Sequence, residues 1–235
     1  MSCRNTLTQD EESSILGSKA AIKNLAEKDE AQVLLISDSH GHPDNFFRAV
    51  EERGKYMDAL LFCGDGISDI SALISKAIRT KKFAELIPPV IAFVRGNNDQ
   101  DLYAVMNPLR ETNPEAPYYT ELYVPLSVDM NIAGMKVYMA HGHRHGVYSG
   151  LSAFTQSANA NGADVAFYGH THYAMSLYED GIFIANPGSC TLPRGGQSPS
   201  YAILNFIRGE KIPTCSFFQI SPSGSDSFNP LPCPW

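Results

Sequence analysis

Three short, almost wholly apolar runs punctuate the first hundred residues: 33–37 (VLLIS), 59–63 (ALLFC) and 90–94 (VIAFV). Each passes directly into a polar loop, DSHGHPD, GDGISD and RGNND in turn. Runs this short and this uniformly apolar predict strands buried on both faces. The spacing predicts helices between them, over 43–53 with Pro43 in the first turn, and over 68–82. The alternation reads as βαβαβ, a mostly parallel sheet with right-handed crossovers. The second half is richer in strands. Runs at 121–130 and 135–141 flank a turn at 131–134. A helix follows over 151–161 and a buried strand over 164–169. Runs at 175–178 and 182–185 flank a hairpin signal at 179–181, and 201–207 and 214–220 flank another turn at 208–211. Near the N-terminus Ile15, Ile22, Leu25 and Ala26 recur at helical spacing, which predicts an amphipathic helical extension over 1–30. The Ser- and Pro-rich stretch 223–235 reads as an irregular tail. The expected architecture is one α/β domain over 31–222, built on two stacked sheets.

Composition narrows the class. The chain has 235 residues, 43% hydrophobic and 18% charged, as in an ordinary globular domain. Eighteen basic against 25 acidic residues leave a formal charge of −7, which argues against nucleic-acid and anionic-membrane partners. No apolar run approaches the roughly 18–20 residues that span a bilayer, and the polar first residues lack the apolar core of a signal peptide. A cytoplasmic location is the resulting expectation. The five cysteines (Cys3, Cys63, Cys190, Cys215 and Cys233) are widely spaced with no C-x-x-C, so they read as free or buried thiols.

The seven histidines fall in three clusters: His40 and His42; His141, His143 and His145; His170 and His172. Histidines alternating near strand ends point one way and converge well on a metal. Each buried strand also ends in a loop of potential ligands: Asp38-Ser39-His40, Gly64-Asp65, Gly96-Asn97-Asn98-Asp99, His141-Gly142-His143 and Gly169-His170-Thr171-His172. Singly, each is ordinary loop chemistry. Five in order, each after a strand, place them together where ligands bind in α/β sheets.

The ordered set D-x-H, G-D, G-N-x-D, H-G-H, G-H-T-H resembles the calcineurin-like metallophosphoesterase superfamily, across residues 33–220. Val94-Arg95-Gly96-Asn97, Asn186-Pro187-Gly188-Ser189 and Leu192-Pro193-Arg194 look like its YfcE-type phosphodiesterases. The resemblance implies a two-sheet β-sandwich flanked by helices, in four αββα layers. It implies two divalent metals, one held by Asp38, His40, Asp65 and His172, the other by Asp65, Asn97, His141 and His170, with Asp65 bridging. A bridging carboxylate screens the repulsion between two dications, and the cluster keeps about +2 to attract a phosphate. The donors are all nitrogen and oxygen, which suits manganese, iron, zinc, cobalt or nickel; the resemblance favours manganese. The implied activity is hydrolysis of a small phosphodiester by a metal-bound hydroxide.

Asn98 stands where protein phosphatases of the superfamily carry a histidine that assists the leaving group. Asn is no general acid near neutral pH, so His143 is the nearest candidate. His42 and His145 read as loop or rim residues, and Arg95 as an ion-pair partner. Asp99 reads equally as ligand orienter or loop anchor, and Cys190 as packing. Two alternatives stand beside the diesterase: a phosphomonoesterase or nuclease on the same site, and a non-catalytic protein-binding scaffold such as the retromer subunit of this fold. An edge strand at 121–130 offers a route to a homo-oligomer.

Overall fold

The computed structural model describes residues 4–230. In chain order the strands are β1 (Glu30–Ile36), β2 (Ala59–Phe62), β3 (Val90–Phe93), β4 (Leu102–Met106), β5 (Tyr119–Tyr123), β6 (Ser127–Ile132), β7 (Met135–Ala140), β8 (Val165–Phe167), β9 (Ala174–Glu179), β10 (Ile182–Pro187), β11 (Ser200–Ile207), β12 (Thr214–Ser221) and β13 (Gly224–Phe228). The α-helices are α1 (Lys19–Glu27), α2 (Pro43–Arg53), α3 (Ile67–Arg79), α4 (Lys81–Ala84) and α5 (Ser152–Ala160). One sheet runs β13-β12-β11-β1-β2-β3, a second β6-β7-β8-β10-β9, and β4 and β5 form a separate ribbon.

The apolar runs are uniform because their two faces meet different partners. Val33, Leu35, Leu61 and Ala92 turn toward the second sheet and pack with Val137, Met139, Phe167 and Ala185. Their neighbours Leu34, Ile36, Leu60, Phe62, Ile91 and Phe93 turn outward, against Phe46 of α2 and Ile70 and Leu73 of α3. On the far side Phe154 and Ala158 of α5 cover Tyr138, Ala166 and Ile184. A strand's side-chain period of two makes each run a double-faced wall, and the layers stack helix, sheet, sheet, helix as expected. β1, β2 and β3 are parallel, as are β7, β8 and β10. The loops after β1, β2, β3, β7 and β8 meet at one end of the sandwich.

Several sequence expectations are corrected. The helix predicted over 1–30 is confined to Lys19–Glu27, capped by the Ser18 hydroxyl. Residues before it form a strap that turns back on itself, with Gln9 bridged antiparallel to Leu16, and Leu16 bridges in turn to Ile91 on the edge of β3; Leu7, Ile15 and Leu16 are buried. Adjacent Ile15 and Leu16 are both buried because the extended chain offers them to the two faces of the sheet edge. The strand predicted over 121–130 is broken at residues 124–126 into β5 and β6. Pro125 has no N–H to give a ladder, and its carbonyl instead accepts from Arg95 N at 2.7 Å. The helix predicted over 68–82 splits at Thr80, whose extended backbone ends α3. The first sheet is mixed, since β11 is antiparallel to β1. The tail is not wholly irregular: β13 pairs with β12 from Phe217↔Phe228 to Ser221↔Gly224, while residues 231–235 lie outside the described region. Strand β4 was not foreseen. Among the described cysteines, Cys63, Cys190 and Cys215 are free thiols; Cys3 and Cys233 lie outside the described residues.

Candidate metal centre

Asp38 follows β1 and is completely buried. Its Oδ2 accepts from the Ser37 hydroxyl at 2.5 Å and from the His170 N–H at 3.1 Å. Its Oδ1 lies 3.2 Å from His172 Nε2, 3.8 Å from His40 Nε2 and 4.0 Å from His141 Nε2. Asp65, after β2, places Oδ2 3.5 Å from His141 Nε2 and 3.9 Å from His40 Nε2. His40 and His172 bring their Nε2 atoms to 3.1 Å. These donors form two overlapping groups, Asp38-His40-His172 and Asp38-Asp65-His141.

The geometry suits a cation. Two donors bound to one divalent ion at about 2.1 Å sit roughly 3–4 Å from each other, the spread seen here. Asp38 Oδ1 and His141 Nε2 are buried yet have no hydrogen-bond partner, an arrangement that costs energy unless something else satisfies them. The ring tautomers agree. The Nδ1–H of His141 donates to the Cys63 carbonyl at 2.6 Å, and that of His172 to the Leu192 carbonyl at 2.6 Å. Each ring thus offers an Nε2 lone pair inward. Burial alone would raise the Asp65 pKa, but His141 and the Asn98 hydrogen bonds outweigh it and hold the carboxyl well below the usual range. Burial and His141 lower His170 to about 4.

The local backbone is bent to achieve this. Nine non-glycine residues described have positive φ, and Asp38, His40, Asp65, His170 and His172 are five of them. Left-handed backbone costs such residues on the order of 1–3 kcal/mol each and collects at functional sites. Two glycines permit the close approach. A Cβ on Gly169 would strike the Ser37 hydroxyl and lie 2.7 Å from Asp38 Oδ2, and one on Gly96 would run into Asp65 Oδ1 and its backbone N.

The remaining candidates separate. His170 sets its ring edge-on to that of His141, the centroids 5.1 Å apart. Asn97 is exposed on the loop after β3. Asn98, also exposed, gives Asp65 a backbone N–H at 2.8 Å and a side-chain N–H at 2.6 Å. His143 lies in a 3-10 turn over His143–His145, its ring 5.4 Å from His141 and 6.1 Å from His170. That turn breaks the alternation expected for the cluster: His145 swings away to pack on Phe154 and Tyr138. His42 is exposed before α2. Arg95 pairs with Asp101 at 3.6 Å. Cys190 is buried, its thiol pushed up to about 12.

Asp99 resolves as the loop anchor. Its Oδ2 accepts from the N–H groups of Asp65 and Gly96, at 2.7 and 2.9 Å. Its Oδ1 accepts from Gly66 and Ile67 at the start of α3, at 3.0 and 2.9 Å. Asp69 does similar work for the first loop, accepting from the Ser39 hydroxyl and Gly41 N. Ser189 donates to the Asp38 carbonyl at 2.7 Å, and Asn186 to the Gly169 carbonyl at 2.8 Å. Sequence reasoning missed Asp69 because it sits inside a helical pattern. It noted Asn186 and Ser189 only through a motif.

At the rim, the Tyr148 hydroxyl donates to the His170 carbonyl at 2.9 Å and accepts from Arg194 Nη1 at 2.6 Å. Burial raises the Tyr148 pKa; Arg194 opposes this, while Asp38 and Asp65 add to it, so the phenol lies within electrostatic reach of both carboxylates.

Residues 32–209 match the family model of the calcineurin-like phosphoesterase superfamily domain. The chain belongs to that superfamily. This calcineurin-like phosphoesterase is 30% identical over 172 residues to the probable metallophosphoesterase YsnB of Bacillus subtilis, covering 73% of this chain and 82% of that protein. It is 31% identical over 125 residues to the phosphodiesterase YfcE of Escherichia coli K12, covering 53% of this chain and 57% of that one. Its fold is similar to that of Vacuolar Protein Sorting 29 from Cryptosporidium parvum, with a TM-score of 0.62 and 18% identity over 87% of this chain and 99% of the other. No helix among the described residues is long and apolar enough to cross a membrane.

Proposed function

We propose that this phosphoesterase is a metal-dependent phosphodiesterase that hydrolyses a small phosphodiester in the cytoplasm. The observation that carries the reading is the convergence of Asp38, His40, Asp65, His141 and His172, two of whose buried atoms, Asp38 Oδ1 and His141 Nε2, have no hydrogen-bond partner. Asp38, His40, Asp65 and His172 would hold one divalent ion, and Asp65, Asn97, His141 and His170 a second, with manganese the favoured metal. Ions held there would polarise the phosphoryl oxygens and draw a nucleophile from water near neutral pH.

The protein's own part is positional. Asp99 and Asp69 fix the loops, Cys63 and Leu192 orient two imidazoles, and Asn98 holds the Asp65 carboxylate. The Asn98 amide is no acid near neutral pH and transfers no proton to a leaving group. Burial, and then His141, lower the His143 pKa, which disfavours the protonated form that a general acid needs. The reaction therefore favours leaving groups that depart unassisted.

The test is hydrolysis of bis-p-nitrophenyl phosphate beside p-nitrophenyl phosphate by protein stripped of metal and then given Mn, Mg, Ni, Co or Zn. Metal-dependent diester cleavage faster than monoester cleavage supports the reading. Monoester preference moves it to a phosphatase. A folded protein inert with every metal is a binding scaffold, a use open to the same fold. The run 121–130, now divided between β5 and β6, is the proposed site of homo-oligomer pairing, which the mass in solution by light scattering decides.

A further inference from the structure

Arg194 is exposed at the mouth of the site and makes no ion pair with a carboxylate among the described residues. Its position is nonetheless fixed. Its backbone N–H donates to the His172 carbonyl at 3.2 Å. Two residues earlier, the Leu192 carbonyl accepts from the His172 ring, and the Leu192 N–H is held by the Ser189 hydroxyl at 2.7 Å. Immediately after it, Gly195 has φ +63° and lies so close to Tyr173 that a Cβ would enter the ring. The Gln197 side chain then ties the loop to both backbone groups of Ala174, at 2.6 and 3.1 Å. The guanidinium itself rests on Tyr148, with Cζ 5.6 Å from the ring centroid and Nη1 on the hydroxyl. Arg144, exposed on the neighbouring loop, has no such anchor among the described residues. Only one of the five N–H donors of Arg194 is used by Tyr148, and a guanidinium presents the rest as a planar fork suited to phosphate or carboxylate.

Charge decides what such a fork is for. Two dications with Asp38 and Asp65 leave about +2. A hydroxide nucleophile and a phosphodiester monoanion contribute one negative charge each and neutralise that. The exposed Arg194 fork is then left over to meet a further anionic group on the substrate.

Resting on the phosphodiesterase reading above, we propose that Arg194, held by Tyr148, is a specificity-determining residue. It binds a second anionic group, a phosphate or carboxylate, on the alcohol portion of a small phosphodiester. The substrate class is thereby narrowed to diesters with at least two separate anionic centres.

The experiment compares p-nitrophenyl thymidine 5'-phosphate with its 3'-phosphorylated derivative, which share one leaving group, in wild type, R194A, R194K and Y148F. Calorimetric titration of the metal-loaded proteins with thymidine 5'-monophosphate and thymidine 3',5'-bisphosphate adds a readout independent of turnover. A charge-assisted contact predicts that wild type prefers the doubly anionic compounds by roughly tenfold to hundredfold, mainly in KM and Kd. R194A loses that preference, R194K keeps part of it, and Y148F weakens it. No preference in wild type, or an equal loss for both compounds in R194A, overturns the proposal. A wild type that binds the bisphosphate preferentially through Arg194 but cleaves neither diester refutes the phosphodiesterase reading and leaves the anion site standing.

Discussion

Replacing Asp99 by Asn changes one atom's chemistry at the most heavily used carboxylate of the site loops. Asp99 accepts four backbone N–H groups, two on each oxygen. In Asp99→Asn one oxygen becomes an NH2 that faces two donors instead of accepting from them. A buried donor left without a partner costs about 1–3 kcal/mol. Asp99 is half-buried, so water reaches part of the loop and each loss falls toward the lower end of that range. The expected destabilisation is about 2–4 kcal/mol. For a chain of this size that lowers the melting temperature by roughly 5–15 °C. The assay is urea unfolding of the metal-free protein, where the midpoint falls while the m-value stays unchanged. Because Asp99 also fixes the left-handed backbone of Asp65, metal affinity drops by about tenfold to hundredfold. A stability loss below about 1 kcal/mol, with metal binding intact, would refute the anchor role.

Three further outcomes are expected. His141→Ala removes activity and the rise in melting temperature on adding manganese to chelator-treated protein; a variant that keeps either sinks the metal assignment. His170 has a folded-state pKa of about 4, below its unfolded value. Its contribution to stability is full above pH about 6.5 and is lost as pH falls through about 4. Discounted for its partial exposure, that contribution is about 1–2 kcal/mol. The metal-free wild type should therefore lose this margin over His170→Gln between pH 7 and 4, and parallel unfolding curves across that range would count against it. Diesters whose leaving groups rise in pKa should be cleaved progressively more slowly, since Asn98 is no acid and burial disfavours a protonated His143; a flat dependence of rate on leaving-group pKa overturns that account.

The sandwich, and the five residues Asp38, His40, Asp65, His141 and His172 that the structure draws together, were legible in the sequence. Uniformly apolar runs ending in Asp38, Asp65 and the 96–99 loop follow from burial on both faces, and burial depends on composition and period. What failed was what local pattern does not encode. Ile15 looks helical by spacing but lies in a strap whose shape is set by the free edge of β3. The run 121–130 alternates like one strand, yet Pro125 hands its carbonyl to Arg95 and divides it. His145 shares the spacing of His141, but a 3-10 turn after β7 sends it into the Phe154 cluster.

By itself, the sequence named the candidate donors, because the chemistry of Asp, His and Asn side chains is a property of the residues, and strand periodicity puts their loops at one end. Only the tertiary structure decided how those donors are held. The left-handed backbone at five candidate ligands, and the contacts of Asp99 with Asp65, Gly66 and Ile67, of the Cys63 and Leu192 carbonyls with the imidazoles, and of Arg194 with Tyr148, are tertiary features, the contacts joining residues 20 to 78 positions apart. Such contacts depend on which sheets and loops pack together, and no spacing along a single chain specifies that.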